Sequence, residues 1–98
     1  MKITKNAEGE KLTVALEGRL DTTTSPQLEQ EFKSSLDGVQ ELVIDMTALE
    51  YISSAGLRVL LSAQKVMNKQ GSMKVTNVNK EIMDIFEVTN FTEILTIE

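Results

Sequence analysis

The chain contains no histidine and no cysteine. Without histidine the usual general base near neutral pH is missing. Neither a Ser-His-Asp nor a Cys-His nucleophile system can then be assembled. Without cysteine there is no disulfide framework and no thiolate zinc site, and the composition fits a reducing compartment. Aromatics are scarce: Phe32, Tyr51, Phe86 and Phe91 are all there are, fewer than a base-stacking platform needs. Ten basic residues stand against fifteen acidic ones, a formal charge of −5. That balance opposes binding to a phosphate backbone, where cationic contacts supply most of the affinity. No nucleic-acid partner is expected. The acidity suits a basic protein surface, or it serves solubility alone. There is no apolar stretch of about 18 residues, and Met1 to Asn6 carries no apolar signal region. The expectation is a cytoplasmic protein with no membrane partner.

What is present is ordinary for a globular domain: 41% apolar and 26% charged residues over 98 positions, hence one domain covering 1–98. A chain of this size buries roughly 60–70% of its unfolded surface, enough for one core. Met1 to Asn6 predicts a first strand, and Ala7 to Glu10 a turn. Lys11 to Glu17 alternates, with Leu12, Val14 and Leu16 on one face, the pattern of a half-buried strand hairpinned to the first. In Thr22-Thr23-Thr24-Ser25-Pro26, Ser25 before Pro26 suits an N-cap, and Thr24 with Gln27 a competing capping box. From Pro26 to Leu36 a helix carries Leu28, Phe32 and Leu36 on one stripe.

Asp37-Gly38 stops that helix, and Leu42-Val43-Ile44 predicts a central strand, Glu41 to Asp45, covered on both faces. A loop from Ala48 to Ser53 follows. The next helix opens at Ser54 or Ala55 and runs to Gln70, with Leu57, Val59, Leu60, Leu61, Ala63, Val66 and Met67 around much of its circumference and Gly71 as its C-terminal cap. Ser72 to Val78 predicts a strand, Asn79 a cap for a helix over Lys80 to Val88, and Phe91 to Ile97 a last strand. The order β-β-α-β-α-β-α-β implies an α/β domain: a mixed, mostly parallel sheet with an N-terminal antiparallel hairpin.

The segment most charged with chemistry is a buried strand, a loop and a helix start, Asp45 to Leu60. Loops at the carboxyl ends of parallel strands are where open α/β sheets meet ligands and partners. Ser53 and Ser54 open the helix. One reading makes one of them simply the N-cap, worth about 1 kcal/mol. The other makes the position a modification site, where the helix dipole and free N–H groups hold a phosphate. Gly56, in the first helical turn, either lets the helix pack closely on the sheet or lets a partner approach Ser54. Asp45 reads as a brace for the loop rather than a metal ligand, since no histidine or second carboxylate converges with it. Asp21 closes another strand end, as a solvated turn residue or as part of the same edge.

These residues resemble the STAS domain, and within it the bacterial anti-sigma factor antagonists. Gly18-Arg19-Leu20-Asp21 is similar to that family's glycine-x-leucine-aspartate strand end, Leu42 to Thr47 to its central strand and Asp-x-Ser/Thr turn, and Ile52 to Leu57 to its Asp-Ser-Ser/Thr-Gly-Leu signature. The resemblance implies a non-enzymatic switch. The unphosphorylated antagonist binds an anti-sigma factor that is also a serine kinase, is released when that kinase phosphorylates it, and is reset by a metal-dependent serine phosphatase. The acceptor maps onto Ser54, and the partner-binding positions onto Asp21, Ser53, Ala55, Gly56, Leu57 and Arg58. Ser53 stands where many members have aspartate, and Ala55 where they have serine or threonine. Those departures leave open a constitutive STAS subunit of a lipid-transport or signalling complex. An enzyme with Ser54 as nucleophile would have only Lys, Asp or Glu as its base. Some family members bind purine nucleotides, but there is no Gly-rich phosphate loop, and no cofactor or metal is expected.

Overall fold

A computed structural model describes residues 1–98. The elements are β1 (Lys2–Glu8), β2 (Lys11–Leu20), α1 (Ser25–Ser35), β3 (Glu41–Ile52), α2 (Ser54–Gln70), β4 (Ser72–Thr76), α3 (Lys80–Val88) and a 3-10 turn at Phe91–Glu93. The four strands lie in the order β1-β2-β3-β4. The β1–β2 pair is antiparallel, and β2–β3 and β3–β4 are parallel. The α/β class and the opening hairpin are as the sequence predicts. The hairpin turn is tighter, with Ala7 and Glu8 in the strand. Gly9 at φ 61° supplies the glycine-first geometry that two-residue turns favour.

The core lies on one side of the sheet. Leu12, Val14 and Leu16 of β2, Leu42, Ile44 and Met46 of β3, and Met73 and Val75 of β4 form a continuous layer. Leu28, Phe32 and Leu36 from α1, Leu57, Val59, Leu60, Ala63 and Met67 from α2, and Ile82 and Phe86 from α3 close over it. The other side of the sheet carries no helix. Val43 points there, between Thr13 and Lys74 in register, and stands outside the core cluster. Helices cover only the Leu42 and Ile44 face of β3, yet the expected burial on both faces holds for the run itself: Val43 is 8% exposed on the helix-free side, flanked by Thr13 and Lys74. Val66, one of the apolar residues around the circumference of α2, is 42% exposed and lines the groove between α1 and α2 with Phe32 and Val59.

The expected loop from Ala48 to Ser53 is strand as far as Ile52. Register explains why alternation hides it. Between Ala15↔Asp45 and Glu17↔Ala48, and again between Gly18↔Leu49 and Arg19↔Tyr51, β3 gains one residue on β2. Each extra residue is a β-bulge that turns the following side chains over. The buried positions then fall at Met46, Leu49 and Ile52, three apart instead of two. At the far end, the expected strand Phe91 to Ile97 is replaced by the 3-10 turn and a single parallel bridge, Val75↔Ile97. Phe91 stacks on Phe86 with ring centroids 6.4 Å apart and Leu95 is buried while Ile94 is 42% exposed, so Phe91 and Leu95, four apart, serve packing rather than a pleat.

Two other local readings change. Ser25 is the first residue of α1 rather than its cap, and Thr24 at the cap position makes no side-chain cap bond. Both hydroxyls instead close the preceding turn: Ser25 Oγ donates to Asp21 O at 2.6 Å, and Thr24 Oγ1 donates to Arg19 O at 2.8 Å. β4 stops at Thr76 because Asn77 turns to φ 58°. Asn79 does cap α3, its Oδ1 accepting from Ile82 N at 2.9 Å.

Gly71 joins α2 to β4 so tightly that a Cβ there would run into the backbone carbonyl of Gln40, which also accepts from Ser72 N at 2.9 Å. Gly71→Ala should destabilise the domain by roughly 1–3 kcal/mol through this overpacking, read as a lower urea midpoint at an unchanged slope.

Candidate functional site

Parallel pairing brings the C-terminal ends of β2 and β3 to one edge. Leu20 pairs with Ile52, and Ser53 N donates to Leu20 O at 2.9 Å. Asp21 and the Ser53-Ser54 helix start, far apart in sequence, therefore lie side by side. Of the two serines, Ser53 is the N-cap: it is extended, at φ −100° and ψ 176°, and its Oγ accepts from Gly56 N at 3.5 Å. Its carbonyl accepts from Leu57 N at 3.0 Å. Ser54 is the first helical residue and is exposed. Because Ser53 does the capping, the Ser54 hydroxyl has no hydrogen bond within the chain. The N–H groups of Ser54 and Ala55 are among those that the start of any helix leaves without an intrahelical acceptor.

Gly56 is buried, and a Cβ on it would lie 2.7 Å from Leu20 Cγ and 2.8 Å from Ile52 Cγ1. Its small size serves contact between helix and sheet, bringing the α2 N-terminus down onto the two strand ends. Leu57 is 6% exposed and belongs to the core. Neither Gly56 nor Leu57 offers side-chain surface. Ala55 and Ser53 are half-buried, and Arg58, one helical turn on from Ser54, is exposed. The surface at this edge is thus Asp21, Ser53, Ser54, Ala55 and Arg58.

Two residues at the same end escape a reading by motif. The Arg19 guanidinium lies 4.4 Å from the centroid of the Tyr51 ring, and its Nε is 3.7 Å from Asp21 Oδ2. Cation–π attraction of this kind contributes about 0.5–1 kcal/mol at exposed sites. Arg19 and Tyr51 are partners only because of the second bulge in β3, so no spacing in the sequence points to the pair.

Asp21, just past the end of β2, and Asp45, at the first bulge of β3, are built alike. Asp21 Oδ1 accepts from Thr23 Oγ1 at 2.8 Å, Thr23 N at 3.0 Å and Thr24 N at 3.2 Å. Asp45 Oδ1 accepts from Thr47 Oγ1 at 2.6 Å, Thr47 N at 3.0 Å and Asn77 Nδ2 at 3.1 Å. The carboxyl of Asp21 is held below the ordinary aspartate value, the Thr23 hydroxyl foremost, against partial desolvation. Asp45 is lowered by the Thr47 hydroxyl, then the Asn77 amide and the Thr47 N–H. Asp45 is a brace: it fastens the first bulge of β3 to the end of β4. Asp21 fastens the turn into α1 while keeping Oδ2 toward Arg19.

Comparison with known proteins follows the same lines. The family profile described as "Mlab, STAS domain" matches residues 3–96. BtrV of Bordetella bronchiseptica, provisionally named an anti-sigma factor antagonist, is 34% identical over 96% of this chain and 83% of its own length. An anti-sigma factor antagonist from Mycobacterium paratuberculosis superposes with a TM-score of 0.88 at 23% identity, covering 98% of this chain and 83% of that one. SpoIIAA of Bacillus, at 14% identity, superposes at 0.78 in its unphosphorylated form (99% and 87% covered) and at 0.77 in its phosphorylated form (99% and 91%). The structural likenesses are ones of fold.

The brace is testable by acid titration. Because the folded-state pKa of Asp45 lies below the ordinary aspartate value, its carboxylate stabilises the fold above that value and ceases to as pH falls through the folded pKa. Asp45→Ala should lower stability by about 1–3 kcal/mol at neutral pH, the usual effect of losing hydrogen bonds to a charged group. Urea unfolding at stepwise lower pH should show its deficit shrinking as wild-type Asp45 becomes protonated. Gly56→Ala should lower stability by about 1–2 kcal/mol, overpacking against Leu20 and Ile52 outweighing the gain in helix propensity.

Proposed function

The chain belongs to the STAS domain family, and from there we propose that it acts as an anti-sigma factor antagonist whose docking is switched by a phosphoryl group on Ser54. The observation that carries the reading is the division of labour between the two serines. Ser53 caps the helix, and Ser54 stands at its mouth with a free hydroxyl, outside the core. A phosphate added there would bring about −1.5 to −2 charges to the positive end of a helix dipole. It would change the surface and leave Leu20, Ile52 and Gly56 packed beneath. SpoIIAA superposes on this chain almost equally in its two phosphorylation forms, which supports a fold that tolerates the modification.

The edge formed by Asp21, Ser53, Ser54, Ala55 and Arg58 is the docking surface in this reading. Its partner is an anti-sigma factor that doubles as the serine kinase, with a separate phosphatase for reset. Two unit charges about 4 Å apart interact by about 4 kcal/mol at an effective dielectric of 20. A quarter of that repulsion already weakens binding about fivefold. Serine in place of the family's aspartate at position 53 keeps the capping oxygen and drops a charge beside Ser54. That departure favours a second reading, a constitutive STAS subunit of a lipid-transport or signalling complex without phosphorylation.

Calorimetric titration of wild type, Ser54→Ala and Ser54→Asp against the cognate kinase separates the two. The switch predicts near wild-type binding for Ser54→Ala, no phosphate incorporation into it, and at least about fivefold weaker binding for Ser54→Asp. Equal affinities for all three, with no species heavier by about 80 Da in protein from growing cells, would favour the constitutive reading.

A further inference from the structure

β1 is paired on one side only. Its seven residues, Lys2 to Glu8, are exposed apart from half-buried Ile3. No hydrogen bond outside the β1–β2 ladder reaches the backbone of Lys2 to Glu8. Proteins guard such an edge by shortening it, bulging it, placing proline in it or charging it. β1 has only the last, in Lys2, Lys5 and Glu8, and its register with β2 runs unbroken from Lys2↔Glu17 to Glu8↔Lys11; those charges set which partner the edge accepts. In a two-residue hairpin the closing pair, Glu8 with Lys11, exchanges both its hydrogen bonds. Lys2, Thr4, Asn6 and Glu8 therefore aim N–H and C=O at β2, and Ile3, Lys5 and Ala7 aim theirs outward.

We infer that a second copy of this chain docks on this edge, β1 against β1 in antiparallel about a two-fold axis at Lys5, joining the two sheets into one of eight strands. The occupant is chosen by charge. In this register Lys2 faces Glu8 of the second copy, Glu8 faces its Lys2, Ile3 faces Ala7, and Thr4 faces Asn6. Every outward-pointing residue meets an outward-pointing one, and the whole strand overlaps. A shift of two residues either way keeps the hydrogen-bond parity but shortens the overlap and leaves Lys2 and Glu8 unmatched. Across the joined sheet the row then reads Glu41, Lys11, Glu8, Lys2 of the second copy, Glu17 of the second copy: alternating signs over five strands, three of whose steps the single chain already contains.

The one like-charged pair, Lys5 with its mate at the axis, is already compensated. Lys5 Nζ lies 2.8 Å from Glu31 Oε2 and 3.1 Å from Ser35 Oγ of α1. Two lysines and two glutamates would meet at the axis with no net charge. Three outward residues on each side contribute about six backbone hydrogen bonds, without a large apolar interface, so the dimer is weak and concentration-dependent. Because the two β2 strands then run in opposite directions, the two Ser54 edges open at opposite ends of the sheet, and both remain free.

Sedimentation equilibrium of the full chain from low micromolar to millimolar concentration tests this. Wild type should shift from monomer toward dimer. Ala7→Pro removes one outward N–H and no bond to β2, a change edge strands accept. It should remain monomeric at every concentration with an unchanged circular dichroism spectrum. Lys2→Glu and Glu8→Lys should each weaken self-association about tenfold, or 1.4 kcal/mol. An equal mixture of these two variants should associate more tightly than either alone, since both cross-strand pairs become attractive in the mixed dimer. A wild type that stays monomeric at millimolar concentration, an Ala7→Pro dimer, or a mixture no tighter than its parts would overturn the inference.

Discussion

The rest of the architecture depends on one contact: the N-terminal turn of α2 lying directly on the ends of β2 and β3. Gly56 sits on Leu20 and Ile52 at a distance that excludes even a methyl group, and both leucine and isoleucine are fully buried. Close approach at this point sets the height of the helix over the sheet. It also decides which of the first residues of α2 face inward. Gly56 and Leu57 are pressed into the core, so Ser54 and Arg58 must face out. The exposure of the serine is a consequence of packing two residues further along.

Polar groups around that contact are spent on holding backbone. Asp21 and Asp45 repeat one device, an aspartate oxygen gathering the hydroxyl and N–H of the threonine two residues on. Each closes an irregular piece of chain: the turn into α1 in one case, the first bulge of β3 in the other. A carboxylate satisfied in this way is stabilised in its charged form. Ser54 stands apart because nothing in the chain uses its oxygen. The neighbouring polar groups hold backbone, and the Ser54 hydroxyl has no structural duty, which is the basis of the proposed switch.

The two ends and the two edges of the sheet have different characters. The C-terminal end of β2 and β3 carries the acidic and hydroxyl groups of the proposed docking surface, with Arg19 stacked on Tyr51 beside them. The β4 edge is partly closed by the chain's own tail at Ile97. The β1 edge is open and bears charges in an order that is its own complement. The proposed partner at one end and the proposed second copy along one edge would use separate surfaces, so neither would exclude the other.

Much of this was legible in the chain itself. Period-two alternation in Leu12, Val14 and Leu16, the four-residue stripe Leu28, Phe32, Leu36, the Asn79 cap and the glycine after α2 are local features, and local chemistry determined them: hydrophobic period, capping oxygen, turn glycine. The motif around Ser53 to Leu57 was visible for the same reason. The second half of β3 was not, because two bulges change the buried period from two to three, and a bulge is a property of the pairing between strands. The tail from Phe91 read as a strand because short apolar runs do not reveal whether they pack on a helix or join a sheet. Which serine caps and which is free, that Arg19 meets Tyr51, and that Gly56 is a packing residue were decided only by tertiary structure. Each depends on what lies across a gap from the residue, and sequence order does not carry that distance.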